Sequence, residues 1–217
     1  MKPVLYYCYD AYCGWCYGFS KVIMKIEEEF RDRLDFEVLS GGMIPADEPR
    51  HISYIAKYIQ TAHKRVEELS GVKFGNDFLW HVNHSEESDW YLQSEKSAVA
   101  LCILKGYLPD KQIQLASELQ YALNFEGRDL TDDEAYRHLL EKHSIEADGF
   151  YKKLHSNEYR EKAHYEFALC RQLQVTGFPA VLVQAGDNKF YLAARGFTAY
   201  EDVAQRLNNI ISEIDNG

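Results

Sequence analysis

Positive charge is in short supply in this chain: 24 Lys and Arg face 34 Asp and Glu, a formal net charge of −10 over 217 residues. A general nucleic-acid binder needs clustered cations to neutralise phosphates, so that class is argued against, and an anionic membrane surface is an equally poor partner. Long apolar runs are also missing. Crossing a bilayer takes roughly 20 consecutive apolar residues, and the run around Val99–Leu104 is soon broken by Lys105, Asp110 and Lys111. The start of the chain has no small-residue cleavage site, only Lys2 and a brief apolar stretch before the first cysteines. There is no internal repeat, low-complexity tract or long flexible linker.

Cysteines number 5, an odd count in a chain of this size. That fits a reduced compartment better than a secreted disulfide framework, so the expected location is cytoplasmic. Hydrophobic residues reach 46% and charged residues 27%, a mixture that folds by itself.

Val4 to Tyr9 is short and rich in β-formers, as a strand covered on both faces would be. Phe19, Val22, Ile23, Ile26 and Phe30 then recur at helical spacing, and Phe36 to Leu39 reads as a second strand, completing a βαβ unit. From about Pro45 to His155 helical patterns dominate: Ile52, Ile55, Ala56, Ile59, Ala62 and Val66 form one stripe. Ser94–Lys105 and Pro109–Leu123 form two more, and Thr131 with Glu134 reads as a capping box. A helix over about Glu158–Leu173 precedes a hairpin of Ala180–Gln184 and Lys189–Ala193 around Gly186-Asp187-Asn188. Thr198 and Glu201 predict another capping box before a final helix. The expected organisation is a sheet-based domain of residues 1–44 and 158–217, interrupted by a helical subdomain of residues 45–157.

The chemistry centres on Cys13-Gly14-Trp15-Cys16, set between strand and helix. Unpaired N–H groups and the dipole at a helix N-terminus favour an anion, here on the Cys13 sulfur. A thiolate attacks a disulfide sulfur, and a second thiol one turn inward is placed to resolve the mixed disulfide. Cys13 is therefore the expected nucleophile and Cys16 the resolving thiol. A zinc site needs two more ligands; His81 and His84 have helical spacing but lie in a polar stretch that reads as surface, so no metal is expected. Gly177-Phe178-Pro179 opens an apolar strand, where proline normally marks an edge, a strand start or a cis turn.

Taken together, the cysteine turn and the Phe178-Pro179 strand start resemble the thioredoxin superfamily. Tyr9-Asp10-Ala11-Tyr12-Cys13-Gly14-Trp15-Cys16-Tyr17-Gly18-Phe19 resembles the strand-to-helix signature of its DsbA-like branch, including the cytoplasmic FrnE-like group of disulfide isomerases. Ser40-Gly41-Gly42-Met43 and Glu126-Gly127-Arg128-Asp129-Leu130 are softer similarities. The resemblance covers nearly the whole chain and implies an α/β, thioredoxin-like fold with a large all-helical insertion. It also implies a cis-proline loop facing the cysteines, with Trp15, Phe178 and Pro179 contacting substrate and Asp10 and Gly14 supporting. Many members carry a buried carboxylate six residues before the nucleophile. This chain has Tyr7 there, with Asp10 or water as the expected substitute.

The resulting expectation is a thiol-disulfide oxidoreductase acting on protein or small-molecule disulfides, with glutathione a candidate substrate and no cofactor beyond the Cys13–Cys16 pair. Kappa-class glutathione transferases and hydroxychromene-carboxylate isomerases share the fold but commonly carry serine or a lone thiol-binding residue where Cys13 stands. A redox-sensing binding module is the third reading. Cys8, Cys102 and Cys170 read as small core hydrophobes. Tyr12, Trp15, Tyr17 and Phe178 are candidates to rim an apolar groove, and Glu86-Glu87-Ser88-Asp89 reads as a solvated turn.

Overall fold

Alternate side chains of Val4–Tyr9 serve two different cores, and that alternation organises the molecule. The computed structural model describes residues 2–216. β1 (Val4–Tyr9) pairs in parallel with β2 (Asp35–Ser40) and antiparallel with β5 (Ala180–Gly186), and β6 (Lys189–Arg195) completes a sheet of order β2-β1-β5-β6. Leu5, Tyr7 and Tyr9 enter the main core with Phe19, Ile23, Ile26 and Phe30 of α1 (Gly14–Phe30). Tyr6 and Cys8 face a smaller cluster of Leu39, Cys170, Ala180 and Leu182. Each of those buried α1 side chains stabilises the fold by about 1.5–3 kcal/mol relative to exposure.

The segment between β2 and α8 (Asn157–Gln172) is helical apart from a small ribbon of β3 (Arg50–His51) and β4 (Tyr91–Leu92). Its helices are α2 (Ser53–Ser70), α3 (Asn76–Asn83), α4 (Glu95–Tyr107), α5 (Gln112–Asn124), α6 (Arg137–His143) and α7 (Ala147–Leu154). α2 stops where Gly71 adopts φ +69°, a left-handed cap that a side chain would resist. α4 runs through Gly106, since it packs against both α5 and α8 and buries Ser97–Leu104 without a break. Pro109 starts a single 3-10 turn, and α5 proper begins at Gln112.

Neither expected capping box forms. The cap near residue 131 is Asp132, whose carboxylate accepts from the Glu134 N–H, while the Thr131 hydroxyl donates to Asp129. Thr198 donates to the Gly196 carbonyl, and the closing helix α9 begins only at Tyr200. In both cases the threonine hydroxyl finds a local acceptor first, the competition that makes short polar side chains poor guides to a single geometry.

The outer edge of β2 is closed by side chains instead of another strand. The Val38 N–H donates to Gln112 Oε1 at 3.0 Å and the Ser40 N–H to Glu166 Oε2 at 2.8 Å. Lys105 holds Glu166 in place, with Nζ 2.5 Å from Oε1, and also reaches Glu37 Oε1 and the Val38 carbonyl. Exposed edge groups invite pairing with other chains, and here the helices occupy them.

Gly75 ties α3 to the end of α5: its N–H donates to the Asn124 carbonyl at 2.9 Å. A Cβ there would sit 1.7 Å from the Phe125 carbonyl oxygen, which is backbone and cannot swing away. Gly75→Ala should therefore destabilise the protein by about 1–3 kcal/mol. Urea unfolding checks this, and an unchanged midpoint would mean that the two segments separate freely.

Candidate active site

β1 ends at Tyr9, and the chain turns so tightly that the Cys13 N–H donates to the Asp10 carbonyl at 3.1 Å. This turn makes Cys13 the N-cap of α1: with φ −86° and ψ 104° it is still extended, and its Sγ accepts from the Cys16 N–H at 3.4 Å. A cysteine sulfur thus occupies the position that serine or aspartate usually fills at a helix start, where a negative charge is stabilised. The Cys13 sulfur is also 3.5 Å from the Phe178 carbonyl, to which its thiol donates.

The two thiols differ in surroundings. Cys13 keeps 7% of its surface exposed, whereas Cys16 is fully sealed. Burial, followed by the hydrogen bond and charge of Cys13, pushes the Cys16 thiol well above its ordinary range. Its ionisation therefore calls for a nearby base.

Asp10 is 2% exposed, and its charge acts on Cys16. Its Oδ1 accepts from the Tyr12 N–H and the Ser94 hydroxyl, both at 3.0 Å, and its Oδ2 from the Met43 N–H at 2.8 Å. Such donors favour the ionised form, yet burial outweighs them and the carboxyl titrates above the usual aspartate value. Behind it, Gln120 of α5 donates to the Asp10 carbonyl.

The Phe178–Pro179 peptide is cis. The Phe178 ring lies on Gly41, where a Cβ would come within 2.0 Å of it, so the first glycine after β2 is what lets this loop approach. The Pro179 carbonyl is taken by the Gly196 N–H at 2.7 Å. Among the described residues, the peptide groups of Thr176 and Gly177 make no hydrogen bond within the chain.

Between this loop, the start of α1 and helix α2 lies a cleft of about 440 Å³. Tyr12, Cys13, Gly14, Trp15 and Phe178 line it, joined by residues that the sequence alone did not single out for the site, among them Met43, Arg50, Tyr58 and Phe74. Trp15 Nε1–H donates to the Tyr58 hydroxyl at 3.0 Å, bridging α1 to α2 across the mouth. No local spacing signals Tyr58 or Arg50, since Tyr58 reaches the site through the packing of α2 and Arg50 from β3 just before it. Arg50 also stacks over Tyr54, 4.6 Å from the ring centroid.

Other sequence candidates fall elsewhere. Tyr17 is not part of the cleft: it is buried, with its hydroxyl donating to the Lys73 carbonyl. Pro179 is buried behind Phe178 and does not line the cleft. His81 is not simply a surface residue, since its ring stacks on Trp90 at 4.0 Å. Of the expected solvated turn at residues 86–89, Ser88 is buried, accepting or donating with His81 and His51 nearby. Cys8 and Cys170 are buried and lie against each other in the smaller cluster, and Cys102 donates to Glu166. Among the described residues no group of three or more His, Cys, Asp or Glu is arranged to hold a metal, and no helix is long and apolar enough to cross a membrane.

Comparison with known proteins gives the same architecture. The DSBA-like thioredoxin domain family matches residues 4–208. A candidate protein disulfide isomerase from Nitrosomonas europaea superposes with a TM-score of 0.86 at 22% identity, covering 98% of this chain and 99% of its own. The cytosolic disulfide reductase DsbM of Pseudomonas aeruginosa, also solved with GSH, gives 0.75 at 21% identity over 96% of this chain and 98% of its own. A 2-hydroxychromene-2-carboxylate isomerase gives 0.65 at 13% identity, covering 97% and 95%. At these identities the structures share the fold. No curated protein sequence is significantly similar.

The raised titration of Asp10 carries a sign. The unfolded chain ionises this residue first, so between the usual aspartate value and the higher native one the folded form holds the extra proton. Stability from this group is full below that window and is lost as pH rises through it. Asp10→Asn should flatten this component of the pH–stability profile. It should also cost about 1–3 kcal/mol, because an amide NH2 would face a backbone N–H donor. Urea titrations of both proteins across the acid range test this, and parallel profiles would refute it.

Proposed function

The chain belongs to the DSBA-like thioredoxin domain family, and from that premise we propose that it is a thiol-disulfide oxidoreductase whose working pair is Cys13 and Cys16. The observation that carries this reading is the asymmetry of the pair: one sulfur caps a helix at the floor of a cleft, and the other is sealed directly behind it.

In the proposed cycle the Cys13 thiolate attacks a sulfur of the substrate disulfide, and the first substrate thiol leaves. Cys16 then gives up its proton and attacks the Cys13 sulfur. The second substrate thiol departs, a Cys13–Cys16 disulfide remains, and the substrate has gained two electrons. Asp10 is the acceptor of the Cys16 proton: its charge acts on that thiol, and burial makes it a stronger base than an exposed aspartate. The free peptide groups of Thr176 and Gly177, beside the Cys13–Phe178 contact, supply a docking edge for an extended substrate backbone.

The cleft's size and apolar walls suit a low-molecular-weight thiol or one extended peptide segment better than a folded surface. DsbM, solved with GSH, supports glutathione as a candidate. We assign the protein to a reducing, cytoplasmic compartment on its odd cysteine count. The direction of electron flow follows from the potential of the pair against the surrounding thiol pool.

The test is a redox titration in graded glutathione buffers, followed by thiol alkylation and tryptophan fluorescence. Wild type should show one reversible two-electron transition, and Cys13→Ser should abolish it. Cys16→Ser should instead accumulate a mixed disulfide on Cys13. No transition in wild type, with glutathione still bound, would replace this reading with a transferase-like one.

A further inference from the structure

Tyr7 stands on β1 with 1% of its surface exposed, its ring held 5.7 Å from that of Tyr9 and 6.0 Å from that of Phe19. Its hydroxyl has no hydrogen-bond partner among the described residues. An orphaned hydroxyl in a core is costly, and phenylalanine would fill the same space without that cost. Its ring packs on Phe19, three residues after Cys16 on the same buried side of α1, and the charged neighbours that weigh on its hydroxyl are Cys16 first, then Cys13 and Tyr9. A protonated sulfur accepts weakly and a thiolate strongly, so ionisation of Cys16 would offer this orphaned hydroxyl an acceptor.

We propose that the Tyr7 hydroxyl is a catalytic hydrogen-bond donor to Cys16, engaged when that sulfur becomes negatively charged in the resolving step. The inference rests on the dithiol-exchange reading and deepens it. In that step the Cys16 proton passes to Asp10, the Cys16 sulfur bonds to the Cys13 sulfur, the Cys13–substrate bond breaks, and the substrate thiolate leaves. Tyr7 keeps its own proton throughout: burial, then the neighbouring sulfur charges, hold it well above the ordinary tyrosine range. The other titratable groups acting on Cys16 are Cys13 and Asp10, with Tyr9 facing it from the same strand. Two hydrogen-bonding groups thus divide the work around a sealed thiol, Asp10 taking its proton and Tyr7 stabilising the charge left behind.

The experiment uses 5,5′-dithiobis(2-nitrobenzoate) with the fully reduced protein under single-turnover conditions. Attack by Cys13 releases one coloured thiolate and resolution by Cys16 releases a second, so the two steps are read as separate phases. Tyr7→Phe removes only the hydroxyl. It should leave the first phase unchanged, slow the second by about tenfold or more, and move the pH dependence of that second phase upward. Its thermal midpoint should equal or exceed that of wild type, which establishes that the variant is folded. A folded Tyr7→Phe protein with a wild-type second phase and pH profile would overturn the inference while leaving dithiol exchange intact. A wild-type protein that lacks a second phase would overturn the exchange reading, and this inference with it.

Discussion

A carboxylate shut away from water must find its hydrogen bonds inside the chain, and Asp10 draws them from segments far apart in sequence. Donors come from the turn before Cys13, from Met43 after β2 and from Ser94 at the head of α4, while Gln120 of α5 holds the adjacent carbonyl. An unsatisfied buried carboxylate would be strongly destabilising. Those four segments are therefore held in register by the same group that lies beside the reactive thiols. The contact between the helical insertion and the strand-bearing part of the molecule is, at this point, also the construction of the site.

A second constraint comes from the opposite side of the cysteines. The loop that presents the Phe178 carbonyl to Cys13 can approach only because Gly41 has no side chain where the Phe178 ring rests. Gly42 continues the same accommodation, adopting φ +66° against the Phe167 ring of α8. Asp10 fixes the strand-to-helix turn and the glycine pair fixes the opposing loop. With the floor and one wall of the cleft set this way, α2 supplies the remaining wall through Tyr58 and its neighbours. The Trp15–Tyr58 hydrogen bond then joins the dipeptide between the cysteines to a helix whose sequence carries no trace of the chemistry.

How much of this was legible in the residues follows from how local each determinant is. The β1 strand, the cysteine turn and α1 were readable because alternation, spacing and capping all act within a few residues, and the hairpin of β5 and β6 was readable for the same reason. Asp10 could be named as a support because it precedes Cys13 closely. Its partners Met43 and Ser94 could not, since a buried hydrogen-bond set has no sequence period. The capping boxes at Thr131 and Thr198 failed because the helical turns begin later, at Asp133 with Asp132 as its cap and at Tyr200, which leaves each threonine outside the cap position with its hydroxyl donating locally. Tyr17, next to Cys16 in the sequence, was expected among the aromatics rimming the groove. One residue farther along a helix turns a side chain by about 100°, and that rotation sends it toward Lys73 instead.

The remaining question is why a sealed thiol should be workable at all. Desolvation makes a buried thiolate expensive, and the Asp10 charge adds to that cost when both are ionised together. Resolution avoids the combination if the proton moves from Cys16 to Asp10 as the S–S bond forms, for then only one of the two groups is charged at any moment. Asp10 is suited to this because burial already makes it a stronger base than an exposed aspartate, even against the N–H and hydroxyl donors that favour its ionised form. Formation of the S–S bond consumes the sulfur's charge and draws the proton across, and burial confines the exchange to these two groups. Burial also keeps water from competing for that proton, which an open carboxylate at the same distance would not achieve.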